Sequence, residues 1–476
     1  MAKKRPRGEH RDMGERLSRR KFMAQTGAFL SVGALGLPLQ LTSMEKERKT
    51  GPGIRIDQVN TNFEREDLFP YRFKGSMVTQ LWQAVVRLQS SSGVSKIGLG
   101  TQNVLWSDAD VAGKHSENGA NALMFAVTER ATQMVKGISF TDPMALQDAI
   151  FPELFAYAKK ITGNPDLRKT FVLNALVPVD NAAWLLYAHE NKIRSFDEMI
   201  PTAYREGLSH KHEKVASIPS FPVGTDIEKI KSAADKGYFI MKLKTGSRGT
   251  QKEMLEKDMA FLTTVHKAIG HYRTSYTKDG KIPYYLDPNG RYKSKDTLLR
   301  FLEHARNIGA FDQIAIIEEP FGENNESYVG DLGVPVAADE SAHNVEDALK
   351  RMEQGYSTIV VKAIAKTLSM TLRIIRACHE RNTPCFSADL TVNPILVDWN
   401  KSVAARLAPL PNVQIGLLET NGHQYYKEWD RLTSYHPKKD ADWTTSHKGV
   451  YRTGKSFYED NGGIFLPSVH YENIFT

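Results

Sequence analysis

The chain has 476 residues, 41% of them hydrophobic, which is ample for a sizeable core and for two domains. Its net charge of +8 is concentrated at one end: residues 1–43 hold nine Lys and Arg against three Asp and Glu, a net of +6, so the remainder carries only +2. With no basic stripe and interleaved aromatics in the body, nucleic-acid binding is excluded, and two cysteines exclude a disulfide framework.

The first segment, residues 1–43, is basic up to Arg19-Arg20 and then weakly apolar from Ala24 to Leu41, a run broken by three glycines and a proline. That run is too weak to read as a membrane span. Ser18-Arg19-Arg20-Lys21-Phe22-Met23 resembles a twin-arginine export signal, which implies export of an already folded protein to the periplasm. No clear A-x-A cleavage site follows, so retention of the leader as a membrane anchor stays open. A polar linker occupies 44–53.

Residues 54–166 combine alternating runs such as MVTQLWQAVVRLQ, a Gly-rich turn and, between 120 and 160, helix-period patterns. This predicts a small antiparallel sheet with helices, an α+β unit. From 167 to 422 the pattern changes to short runs of β-branched, aromatic and aliphatic residues, each followed by a polar loop and a helix-period stretch. Strands are expected near 215–219, 239–243, 283–286, 313–317, 334–337, 358–361, 384–387 and 413–418, with helices such as LEKDMAFLTTVHKAIG and LSMTLRIIRACHERN between them. The fold class is therefore α/β, a (β/α)₈ barrel of the TIM type behind an N-terminal α+β cap. HYRTSYTKDGKIPYY reads as a hairpin inserted around Asp279-Gly280. Cys378 falls in a helix-period stretch and Cys385 at the start of the next strand; an exported chain permits a disulfide between them, but two buried free thiols are the favoured reading. The aromatic-rich segment 423–476 is expected to pack back on the cap.

Charged residues recur at the ends of the barrel strands: Lys242 and Lys244 in FIMKLKTG, Asp287 in YYLDPNG, Glu318 in AIIEEP, Asp339 in PVAADES and Lys362 in TIVVKA. The intervals from Lys244 to Lys362 are 43, 31, 21 and 23 residues, most of them close to one strand-helix repeat. Barrel strand ends converge on one face. Carboxylates crowded there are costly unless a cation sits among them, and an all-oxygen set without Cys or His suits a hard divalent ion, Mg²⁺ before Mn²⁺ or Ca²⁺. A lysine, with an ordinary pKa of roughly 10.4, becomes a usable base when burial and a neighbouring cation lower it. A base beside such an ion suits removal of a proton α to a carboxylate, the metal holding the two oxygens of the enediolate.

At these residues the sequence resembles the enolase superfamily, and within it the muconate lactonizing and dipeptide epimerase branch of the mandelate racemase/muconate lactonizing group. The motifs are KLK, DPNG, EEP, ADES and the sixth-strand Lys362; VDNAAWLLYAHENKIRSFDEMIP also looks like the helix that opens that family's barrel. The resemblance implies Asp287, Glu318 and Asp339 as ligands of Mg²⁺, Lys244 as base on one face, Lys362 as acid or base on the other, and Lys242 as a stabiliser of the enediolate. Glu319 competes with Glu318, but the E-x-P spacing favours Glu318. The cap would supply two lids, one at 65–76 with Phe69, Arg72, Phe73 and Lys74, the other near 105–110 with Trp106; Arg72, Phe73 and Trp106 would touch substrate. The dipeptide epimerases carry an Asp-x-Asp pair at the eighth strand where this chain reads GLLETNG, so Glu419 there and Asp389 at the seventh strand are the candidate contacts to a substrate ammonium. His343 reads as a helix-entry residue and the seventh strand end, PCFSADLT, has no His. The function implied is racemisation or epimerisation of a small carboxylate, on dipeptides or N-acyl amino acids, by a homo-oligomer. The alternatives are a dehydratase or cycloisomerase of the same superfamily, and an exported carboxylate-binding protein without catalysis.

Overall fold

The computed structural model describes residues 53–73 and 76–476, with the backbone alone for 72 and 73. The expected twin-arginine leader, the linker up to residue 52, and Lys74 and Gly75 of the expected first lid lie outside the described residues, as do the side chains of Arg72 and Phe73.

The chain enters as a four-stranded sheet. Strand β1 (Ile54–Phe73) pairs antiparallel with β2 (Ser76–Ser90) from Ile56 opposite Ser90 to Phe73 opposite Ser76; β3 (Ser95–Gln102) lies outside β2, and β4 (Ser139–Phe140) outside β1. The expected lid loop at 65–76 is thus a β-hairpin arm, because its alternating residues keep the ladder paired almost to the turn. Further in, the period of two sorts neighbours into different cores. Val86 and Leu88 pack with Val127 and Phe171, while Val85 and Leu99 join Trp184 in the core that continues into the barrel.

The helix Lys169–Glu190 connects the two parts. It is long and apolar enough to cross a bilayer, yet 94% of its apolar window is buried within the protein, which makes it a core helix. It lies close against β3 because that strand presents glycines two residues apart. A Cβ on Gly98 would stand 1.9 Å from the Pro178 carbonyl oxygen, and one on Gly100 would stand 2.6 Å from Pro178 Cδ. Backbone cannot yield by that much without moving the helix off the sheet. Gly98→Ala is expected to destabilise the protein by at least about 1–3 kcal/mol, the usual range for overpacking. An unchanged thermal midpoint would show that the helix is not seated on β3 as described.

The second sheet is the barrel. In chain order its strands are β5 (Lys214–Ile218), β6 (Ser220–Pro222), β7 (Met241–Lys244), β8 (Tyr284–Asp287), β9 (Ile314–Glu318), β10 (Val336–Ala338), β11 (Thr358–Val361), β12 (Cys385–Ser387), β13 (Gly416–Glu419) and β14 (Val450–Arg452). From β6 to β13 each strand pairs in parallel with the next. β5 and β6 are one run interrupted at Pro219, which lacks the N–H a ladder needs. Because β6 pairs with β7 and β5 with β13, this single run joins both ends of the sheet and curls it into eight parallel strands. β14 adds antiparallel to β5.

The inserted segment before β8 is a small hairpin, bridged at Arg273 and Lys281, with Gly280 at φ +72° in its turn. The C-terminal segment contacts both sheets. It supplies β14 to the barrel, while Tyr426 bridges Leu68, Arg431 donates to Glu66 at 2.5 Å and His470 Nε2 lies 2.9 Å from Glu64 on the cap. Cys378 and Cys385 are buried and unbridged.

Candidate active site at the C-terminal barrel face

Most of the charged groups singled out along the barrel end a strand or follow it directly; Lys242 lies within β7 and Asp389 two residues beyond β12. Lys244, Asp287, Glu318 and Glu419 are the last residues of β7, β8, β9 and β13; Asp339 and Lys362 come immediately after β10 and β11. Successive side chains of a strand alternate between the two faces of the sheet, so the two lysines of KLK, two apart, share the inward face while Leu243 packs in the core.

The carboxylates and lysines form one connected set. Lys242, 1% exposed, places its ammonium 2.9 Å from Asp287 Oδ2, 2.8 Å from Glu318 Oε2 and 3.0 Å from Glu419 Oε2. Lys244 donates to the same Asp287 Oδ2 at 2.5 Å and to Asn289 Oδ1 at 3.3 Å. Across the barrel, Lys362 donates to Asp339 Oδ2 at 2.6 Å. Tyr285, from β8, donates its hydroxyl to Glu318 Oε2.

Oxygens of Glu318, Asp339 and Glu340 lie within 4.8 Å of one another, an acidic triad able to hold a metal ion. Asp339 Oδ1 is buried and accepts no hydrogen bond, with the Lys366 ammonium 3.6 Å away, so it retains lone pairs that an ion could use. The donor set is all oxygen, as a hard divalent cation requires. Asp287 stands one strand further round. One of its oxygens is taken by both KLK lysines and the other accepts from the Asn289 N–H at 2.9 Å.

Titration of these groups shows the crowding. Burial, with the charges of Asp339 and Glu419, pushes the Glu318 carboxyl up to about 8 against the pull of Lys242. Burial acts the same way on Asp287, but Lys242 and Lys244 outweigh it and hold that group at about 2. At Asp339 burial is overcome by Lys362, Lys366 and Lys242, and its carboxyl lies far below the usual range. The sequence led to the expectation that burial lowers the lysines. Burial does oppose their charge, but the carboxylates outweigh it at Lys242 and Lys362, which are both raised. Burial prevails at Lys366 alone of these, and lowers it.

The cap closes the pocket with Trp106 and Tyr71. Trp106, in the short helix Val104–Ser107, is 3% exposed, donates its indole N–H to Asp339 Oδ2 at 3.3 Å and sets its ring 4.7 Å from the Lys362 ammonium. Asn103 Oδ1 caps that helix by accepting from the Trp106 N–H. Tyr71, on the hairpin arm, reaches Thr391 Oγ1 at 3.3 Å and packs its ring on Tyr425 at 4.2 Å. Phe69 on the same arm is exposed.

Asp389 and Glu419 line the pocket, but both are engaged. Asp389 accepts from the N–H groups of Leu390, Val392 and Asn421, tying the loop after β12 to the loop after β13, and burial pushes its carboxyl up to about 6. Glu419 is paired with Lys242. Glu319 is turned away from Glu318 by a left-handed backbone at φ +42°; it accepts instead from the N–H groups of Asp339 and Ser341. His343 precedes the helix Val345–Glu353 and bonds Glu323. Sequence reasoning missed Tyr71, Glu340 and Lys366. Glu340 and Lys366 carried a local signal, being charges one and four residues beyond strand-end residues already chosen.

Residues 226–440 match the family model described as Enolase C-terminal domain-like. No curated protein matches the chain. Among solved structures, it is similar to a dipeptide epimerase from Enterococcus faecalis V583 complexed with Mg and the dipeptide L-Leu-L-Tyr (16% identity, 77% of this chain and 90% of that one, TM-score 0.55). It is also similar to the L-Ala-D/L-Glu epimerase from Bacillus subtilis (14%, 78% and 91%, 0.56) and to a mandelate racemase/muconate lactonizing protein from Herpetosiphon aurantiacus (15%, 84% and 95%, 0.57). At these identities the likeness is one of fold.

Proposed function

We propose that the protein is a Mg²⁺-dependent racemase or epimerase that removes the proton α to a carboxylate and returns one to the opposite face. One observation carries this: Lys244 ends β7 and Lys362 follows β11, four places apart in a ring of eight strands, so the two amines face each other across the pocket. A binding protein has no use for that opposition, whereas a 1,1-proton transfer requires it.

A divalent cation on Glu318, Asp339 and Glu340 would neutralise charge developing on the substrate carboxylate and draw the same carboxylates away from the lysines, the direction that frees an amine to act as base. One of Lys244 and Lys362 takes the α-proton and the other, as its ammonium, delivers a proton from the far side. Lys242, held by three carboxylates, stays charged and supports the oxygens of the deprotonated substrate. Trp106 and Tyr71 keep water from the exposed carbon. The dipeptide complex of the Enterococcus structure favours dipeptides or N-acyl amino acids as substrate class.

The test is exchange in heavy water. A dipeptide or N-acyl amino acid library incubated with the protein should lose α-protium only when Mg²⁺ or Mn²⁺ is supplied, with inversion of configuration. Release of water and a 2-keto product would move the assignment to a dehydratase. Metal uptake without any exchange would move it to a binding protein.

The Arg19-Arg20 pair ahead of a weakly apolar run supports export through the twin-arginine route as part of the same proposal. Changing both arginines to lysines is expected to leave the protein in the cytoplasmic fraction; unchanged recovery from the periplasm would assign the leader to another pathway.

A further inference from the structure

The backbone of the loop that carries Asp339 and Glu340 is gripped on every side by charge. Glu319 Oε2 accepts from the N–H groups of Asp339 at 2.8 Å and Ser341 at 3.3 Å, and from the Ser341 hydroxyl at 3.0 Å. Lys366, fully buried, donates to the Asp339 carbonyl at 2.7 Å. The next carbonyl, that of Glu340, accepts from Arg168 Nη2 at 2.9 Å. Glu319 and Lys366 belong to the barrel. Arg168 does not: it precedes the long helix that leaves the cap.

Arg168 is also fixed from the other side. Its backbone N–H donates to Asp108 Oδ2 at 3.0 Å, and Asp108 immediately follows the helix bearing Trp106. Two residues on, the Thr170 hydroxyl donates to the Ser107 carbonyl at 2.7 Å. The Arg168 guanidinium is aimed by Glu323, whose Oε2 lies 2.6 Å away and which His343 holds in turn. A continuous set of polar contacts therefore runs from the Trp106 lid through Asp108 and Arg168 to the backbone of the acidic loop. Both contacts are made by Nη2, whose two N–H groups serve the Glu340 carbonyl and the Glu323 carboxylate from a guanidinium that stays charged.

We propose that Arg168 is a positioning residue that couples the Trp106 lid to the metal-holding loop, so that the loop geometry that binds the ion is also the one in which the lid is closed. The proposal rests on the acidic triad holding a metal. Backbone partners of a ligand loop act as outer-shell supports, whose loss typically weakens metal binding about 10- to 100-fold.

The experiment measures Mn²⁺ affinity by electron paramagnetic resonance on the full chain and, in parallel, the solvent access of Trp106. The latter is the difference in acrylamide quenching between each protein and its Trp106→Phe counterpart. Arg168→Met is expected to weaken Mn²⁺ binding about tenfold and to raise the Trp106 quenching component. Arg168→Lys should recover part of both. Glu323→Gln, a milder change at a half-exposed position, should move both readouts in the same direction and keeps the test valid if Arg168→Met does not fold. A merely structural role would lower thermal stability while leaving the affinity of the folded protein and the quenching of Trp106 unchanged, and that result overturns the proposal. Failure of the unaltered protein to bind Mn²⁺ would instead overturn the metal site itself, and the proposal with it.

Discussion

Asp339→Asn is expected to abolish saturable Mn²⁺ or Mg²⁺ binding and to destabilise the protein as well. The residue sits at the junction of both demands. Its Oδ1 is buried without a hydrogen bond, and its Oδ2 takes the Lys362 ammonium and the Trp106 indole. Loss of the charge strands Lys362 and Lys366, both buried, without their carboxylate. Removing one partner of a buried ion pair costs about 3–5 kcal/mol, so the thermal midpoint should fall sharply before metal is added. Glu318→Gln and Glu340→Gln should also lose binding, with Glu318→Gln the gentler on stability because its carboxyl is already pushed up to about 8 and yields its charge readily. Asp287→Asn distinguishes a triad built on Glu340 from one completed by the third strand. Its loss of binding would place Asp287 among the ligands, and full retention would leave it as the partner of Lys242 and Lys244. Calorimetric titration with thermal unfolding of each variant reads both effects. Undiminished affinity in Asp339→Asn, Glu318→Gln and Glu340→Gln together would remove the metal from this site.

Lys362→Ala and Lys244→Ala should each stop α-proton exchange from one stereoisomer of the substrate, with a loss of about 10²- to 10⁴-fold, the usual contribution of a positioned acid or base. Exchange from the other stereoisomer should survive in part, because the remaining amine still faces its proton. Inversion, which needs both lysines, should fail in both variants. The two changes differ in their side effects. Lys362→Ala removes a partner from Asp339 and the cation over the Trp106 ring; Lys244→Ala leaves Asp287 still paired with Lys242. Equal loss from both stereoisomers in both variants would show that the lysines bind charge and do not move protons.

The barrel was legible because its signal is local and repeated. Runs such as TIVVKA and AIIEEP mark strands that the structure places at Thr358–Val361 and Ile314–Glu318, and their charges point to the C-terminal edge that all strands share. The lid was less so. An alternating stretch around Phe69 does not announce whether it ends in a loop or continues as a paired arm, since that depends on the partner strand. Tyr71, which lines the pocket, was not legible because its role depends on Thr391 and Tyr425, more than three hundred residues away in sequence. Lys366 carried only its nearness to Lys362, and Arg168 was invisible: an arginine before a helix looks solvated until a distant carbonyl is brought to it.

By itself the sequence determined that an α/β barrel carries carboxylates and lysines at consecutive strand ends, because strand period and strand-helix spacing are properties of contiguous residues. Which of those charges meet was decided only by the closed fold. Closure through the run split at Pro219 brings β7 and β11 to opposite walls, sets Glu340 beside Glu318 and Asp339, and gathers Asp287, Glu318 and Glu419 around Lys242. Pairwise electrostatics fall off with distance and rise with burial, and both are fixed by tertiary packing alone.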